Sequence, residues 1–207
     1  MTNIKICGLM EMKDVLAVNR HKPEYAGFVF AKSRRQVRVE AAKIMVNSLD
    51  SAVMPVGVFV DADTEAVAAA AAACRLGAVQ LHGGEGQAYI DRLRKLLPAG
   101  TLVFKAVRVK DAASLTQADK LDCDLFVLDA WSEGLRGGSG ETFEWELVKG
   151  FQKPFLLAGG LDCSNVQSAI ERCKPYGVDV SSGVETGRRK DAGKIAAFIE
   201  TVRRQSV

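Results

Sequence analysis

Ile4-Lys5-Ile6-Cys7-Gly8-Leu9 is a short apolar run that stops at a single glycine. It reads as a β-strand ending in a turn. A doubly wound sheet that opened this way would carry a glycine-rich phosphate fingerprint after its first strand. Cys7-Gly8-Leu9 is not that fingerprint. Seven segments of the same kind follow, at 27–30, 55–60, 78–81, 102–107, 124–129, 155–158 and 178–181. Most are continuous apolar runs, as strands covered on both faces require. The fifth holds Lys105 inside its run.

Helical periodicity fills the gaps. Met12, Val15 and Leu16 stand at i, i+3, i+4, and Val67, Ala70, Ala71 and Cys74 extend the pattern to i+7. Val166, Ala169, Ile170 and Cys173 repeat it, as do Ile195, Phe198, Ile199 and Val202. Each set makes one apolar stripe. Weaker helical patterns lie at 41–49, 87–97, 112–118 and 144–149. Gly77 stands at a C-cap position for the third helix, Ser164 at an N-cap for the seventh, and Pro175 at its end. Strand–helix alternation implies parallel strands with right-handed crossovers. Eight such units in 207 residues predict one α/β domain, 1–207, a small (β/α)8 TIM barrel.

Composition narrows the function. Hydrophobic residues make up 48% and charged residues 26%, which is ordinary globular usage. A net charge of +3, with no basic run interleaved with aromatics, predicts neither a nucleic-acid nor a membrane partner. Arg188, Arg189 and Lys190 read as a solvated approach to a helix. Five scattered cysteines without a CxxC argue against a disulfide framework or zinc site and for the reducing cytoplasm. The start of the chain shows no signal-peptide pattern, and the apolar run at 66–74 is too short to cross a bilayer.

Barrel enzymes place their reactive groups at the C-terminal ends of strands. Cys7 closes the first strand, either as a small buried residue or as a base. Asp129 closes the sixth, where a carboxylate must be paired, hydrogen-bonded or functional. Both would face one mouth, and a base and an acid across a pocket can move a proton along a substrate. Gly159-Gly160 and Ser182-Gly183 follow strands seven and eight, the loops that build phosphate sites in barrels. Ser33-Arg34-Arg35 follows strand two, and an Arg fork there suits a carboxylate or phosphate. Gln80 and His82 flank Leu81 at the end of strand four and would line the pocket. The loop at 131–140 holds four glycines, Gly138 among them, and reads as a lid or binding loop. His21 and His82 lack metal-ligand spacing, so neither a metal nor a cofactor is expected.

These residues resemble one family. Lys5-Ile6-Cys7-Gly8-Leu9, Gln80-Leu81-His82-Gly83 and Ser181-Ser182-Gly183-Val184-Glu185 are similar to signatures of phosphoribosylanthranilate isomerases. The likeness runs in order through Gly27-Phe28-Val29-Phe30, Leu128-Asp129, Gly137-Gly138-Ser139-Gly140 and Leu157-Ala158-Gly159-Gly160. Arg34, Ser139 and Glu144 depart from the usual Pro, Thr and Asp.

The resemblance implies an Amadori rearrangement in tryptophan biosynthesis, from N-(5-phosphoribosyl)anthranilate to 1-(2-carboxyphenylamino)-1-deoxyribulose 5-phosphate. It implies Asp129 as general acid, Cys7 as general base and Arg35 on the anthranilate carboxylate. It also implies the two glycine loops as the phosphate cradle, in a monomer or homodimer. Two rivals share the fold. The related sugar isomerase of histidine biosynthesis resembles a two-Asp site, against which Cys7 argues. A non-catalytic phosphosugar-binding barrel would need neither Cys7 nor Asp129.

Overall fold

The computed structural model describes residues 2–129 and 143–204. Eight parallel strands form a closed barrel in the order β1 to β8. They are β1 (Asn3–Cys7), β2 (Tyr25–Val29), β3 (Met54–Phe59), β4 (Ala78–Leu81), β5 (Leu102–Arg108), β6 (Leu125–Asp129), β7 (Phe155–Ala158) and β8 (Gly177–Val180). Closure is made where β8 pairs with β1, with Lys5 opposite Asp179 and Ile6 opposite Val180.

Helices α1 (Met12–His21), α2 (Val39–Asn47), α3 (Thr64–Cys74), α4 (Gln87–Leu96), α5 (Ala112–Asp119), α6 (Phe143–Val148), α7 (Val166–Cys173) and α8 (Ala192–Arg204) follow the strands in turn. After β8 come a 3₁₀ turn (Ser182–Val184) and a small antiparallel pair, β9 (Glu185–Thr186) and β10 (Arg189–Lys190).

Strand alternation sorts the side chains into two shells. Ile4, Ile6, Phe28, Val79, Leu81, Val103, Phe126, Leu128, Leu157, Val178 and Val180 pack outward under the helices. Tyr25, Val56, Ala78, Phe104, Leu125 and Leu156 fill the barrel, with Tyr25 edge-on to Phe104 at 5.6 Å between ring centres. Lys5, Cys7, Gln80, Asp129 and Asp179 share the inward parity. Lys105 has the outward parity. Its Nζ ties down the loop after β4, at 2.7 Å from Glu85 Oε2 and 2.7 Å from the Gly83 carbonyl.

Some local expectations are corrected. The left-handed residue ending α3 is Arg75, with φ of 52°, so Gly77 is not the cap. Asn165, not Ser164, is the N-cap of α7. The Ser164 hydroxyl instead bonds Asp162 Oδ1 at 2.5 Å. Lys190 is not solvated: it is buried, with Nζ 3.0 Å from Glu185 Oε1 and 2.8 Å from the Ser181 carbonyl. The β9–β10 hairpin folds it back over the mouth, while Arg188 and Arg189 stay exposed.

Candidate active site

Cys7 is the last residue of β1, and its thiol lies against the bare backbone of Gly27 on β2. A Cβ added at Gly27 would meet Cys7 Sγ at 2.8 Å. Gly8 then turns the chain with φ of +84°, a conformation that favours glycine. The turn also makes room for Arg35, whose Cδ would stand 2.5 Å from an added Cβ. The Arg35 stem therefore crosses directly over the turn that follows Cys7.

Glu185 organises the cations around this point. Arg35 donates from Nε to Oε1 at 2.7 Å and from Nη2 to Oε2 at 3.2 Å. Arg34 Nη2 reaches Oε2 at 2.9 Å, and Lys190 Nζ reaches Oε1 at 3.0 Å. Burial pushes the Glu185 carboxyl up, but the bonds and charges of Arg35 and Lys190 outweigh it and hold it down at about 2. Lys190 is itself lowered, chiefly by burial. The Ser181 hydroxyl donates to the Cys7 carbonyl at 3.0 Å. Base candidate, Arg fork and the loop after β8 are thus joined by consecutive short bonds.

The two glycine loops meet. Gly159 and Gly160 take φ of +98° and +61° after β7. Gly183 sits so close that an added Cβ would lie 1.9 Å from the Leu161 carbonyl oxygen. No side chain can stand between these loops, so backbone groups line this part of the mouth.

Asp129 ends β6 beside Arg108 on β5 and Ala158 on β7. It lies three strands from Cys7 by the shorter way round the barrel. Gln80 Nε2 and His82 Nδ1 are 3.3 Å apart at the end of β4. Desolvation lowers the His82 pKa, and the charge of Asp129 partly offsets this. Cys7, Arg35, Gln80, His82, Asp129, Gly159, Gly160, Ser182 and Gly183 all belong to this C-terminal end. Gly138 and the loop at 131–140 lie outside the described residues.

Comparison with known proteins decides the family. Residues 4–201 match that of N-(5'phosphoribosyl)anthranilate (PRA) isomerase. The chain belongs to the phosphoribosylanthranilate isomerase family.

A relative named N-(5'-phosphoribosyl)anthranilate isomerase from Acetivibrio thermocellus is 47% identical over 98% of this chain and 96% of its own. The crystal structure of the phosphoribosyl anthranilate isomerase from Thermotoga maritima has a TM-score of 0.86, with 32% identity over 99% of this chain and 100% of the other. Another crystal structure in the family holds reduced 1-(o-carboxyphenylamino)-1-deoxyribulose 5-phosphate. It has a TM-score of 0.84, with 32% identity over 99% of this chain and 100% of the other. The isomerase reading of the sequence is therefore borne out at the level of family, fold and enzyme.

Reading the sequence missed the polar neighbours of this isomerase's mouth: Lys5, Asp179 and the burial of Lys190. Lys5 Nζ and Asp179 Oδ2 are 3.0 Å apart, with the lysine side chain fully buried. Lys5, Cys7 and Asp179 have one strand parity, and that signal was available in the sequence.

Proposed function

We propose that the chain catalyses the Amadori rearrangement of N-(5-phosphoribosyl)anthranilate in tryptophan biosynthesis, with Asp129 as general acid and Cys7 as general base. Asp129 gives its proton to the ribose ring oxygen, the C1–O bond breaks, and a Schiff base forms. The Cys7 thiolate then takes the proton from C2, leaving an enolamine that tautomerises to the ketone. Two groups on opposite sides of one pocket suit two proton transfers at separate atoms of one substrate.

The observation that carries this reading is the shared inward parity of Cys7 and Asp129 at strand ends around one mouth. The anthranilate carboxylate would meet Arg35. Glu185 occupies the Nε–Nη2 edge of that guanidinium, which leaves the Nη1 side for a second carboxylate. The phosphate would lie on the backbone of Gly159-Gly160 and Ser182-Gly183, where glycine allows close approach. The five free cysteines suit work in the cytoplasm.

The test follows loss of anthranilate-type fluorescence when the protein meets freshly generated phosphoribosylanthranilate. Fast decay with the wild type, absent with Cys7→Ser, supports the reading. Background decay with folded wild-type protein overturns it and turns attention to another phosphosugar or to binding alone.

A further inference from the structure

Lys5 is a charged group inside the barrel that the proposed chemistry does not use. It is buried completely, two residues before Cys7 on the same strand and on the same face. A lysine in such a place needs a charged partner. It has one in Asp179 Oδ2, 3.0 Å away on the neighbouring strand β8. Cys7 follows it on the same face of β1, and its thiol responds to the Lys5 charge. The other Asp179 oxygen, Oδ1, is buried without a hydrogen-bond partner among the described residues.

We propose that Lys5 is a positioning residue for Cys7, an internal ammonium that supplies the counter-charge of the thiolate and is shared with Asp179. This rests on the reading of Cys7 as the base. It answers a physical difficulty of that reading. Burial pushes the Cys7 thiol up, and Asp179 adds to this. A base in that setting needs a nearby cation.

The charges that act most on Cys7 are Lys5 from its own strand, Asp179 from β8 and Lys190 from the β9–β10 hairpin. Arg35, from the loop after β2, crosses the turn at Gly8. Gly27, the neighbour on β2, presents no side chain. Of the two lysines, Lys5 acts more strongly on the thiol. Burial opposes the ammonium, but Asp179 and Cys7 together raise its pKa, which favours the charged form. In this role Lys5 acts by charge and exchanges no proton. The amount of that charge available to sulfur depends on how much Asp179 claims.

Two substitutions then have opposite effects. Lys5→Met removes the counter-charge with a side chain of similar length. Asp179→Asn removes the competing anion and leaves the ammonium to sulfur. The measurement is the pH profile of Cys7 alkylation by iodoacetamide in the protein without substrate. The Cys7 peptide is followed by mass spectrometry, with exposed Cys163 as the internal reference.

The midpoint is expected to rise by about 1 pH unit or more in Lys5→Met, and to fall in Asp179→Asn, with Cys163 unchanged. A Lys5→Met profile that overlays the wild type overturns the proposal. So does an Asp179→Asn midpoint that stays or rises, and this variant decides alone if Lys5→Met does not fold. A purely structural role for Lys5 would not move the two midpoints in opposite directions. The assay involves no isomerisation, so it can succeed or fail independently of the proposed activity.

Discussion

Glu185 grips Arg35 along one edge of its guanidinium, with Oε1 2.7 Å from Nε and Oε2 3.2 Å from Nη2. The pair spans 150 residues of sequence and ties the loop after β2 to the hairpin after β8. A fork held on one edge has little rotamer freedom left, so its remaining N–H groups are aimed before any ligand arrives.

Replacing that carboxylate tests the grip. Glu185→Gln leaves Lys190 buried without its carboxylate and cuts Arg34 and Arg35 loose. It is expected to cost about 2–4 kcal/mol of stability in urea unfolding. It should also raise KM more than it lowers kcat. The acid limb has a defined sign. Glu185 falls from the ordinary value of 4.5 to about 2 on folding, so its contribution is full above pH 4.5 and is lost as pH falls toward 2. Glu185→Gln should flatten stability against pH in that window. An unchanged acid limb would show that other carboxylates carry it.

Arg35→Ala is expected to raise KM by about 10- to 100-fold, the loss of one charge-assisted pair. Arg35→Lys should recover little, because an ammonium cannot hold Glu185 along two bonds and still offer a second face. If KM stays at the wild-type value in both, the substrate carboxylate is held elsewhere, with Arg34 the next candidate.

Cys7→Ser and Asp129→Asn should each lower kcat by about 100- to 10,000-fold, with KM little changed, since each removes one proton transfer. Steady-state rates separate the two constants. A normal kcat in either variant removes that residue from the proposed mechanism.

Gly183→Ala places a methyl 1.9 Å from the Leu161 carbonyl oxygen, a clash with backbone that no rotamer relieves. The loops after β7 and β8 must part. About 1–3 kcal/mol of stability should be lost, and inorganic phosphate should protect the variant less than the wild type against thermal unfolding. Equal protection would place the phosphate site away from these loops.

The barrel was legible because each strand is a short apolar run and four of the helices carry a stripe that repeats at 3.6 residues. Strand ends shifted by a residue or two, as at β2, which runs Tyr25–Val29 where 27–30 was expected. Cys7 and Asp129 stood out because they close strands. Lys5 and Asp179 did not, because an apolar run conceals its own alternation. Ile4 and Ile6 face the helices, and so Lys5 must face the barrel axis. Lys190 was misread for a different reason. Three basic residues in a row look solvated, and only the turn of the β9–β10 hairpin sends one of them inward. The caps failed locally: Arg75 tolerates a left-handed φ at the end of α3, and Asp162 captures the Ser164 hydroxyl before it can cap α7.

The seam between β1 and β8 has a consequence for the order in which the molecule becomes competent. Cys7 emerges from the ribosome before Arg35, and both precede β8. The groups that hold them, Asp179 through Lys5, Ser181 on the Cys7 carbonyl, and Glu185 with Lys190, come later, with Ser181 following Cys7 by 174 residues. The Cys7 side chain waits for β8 and its hairpin before it has surroundings in which to react. A truncated product ending before β8 would expose a bare thiol but no site.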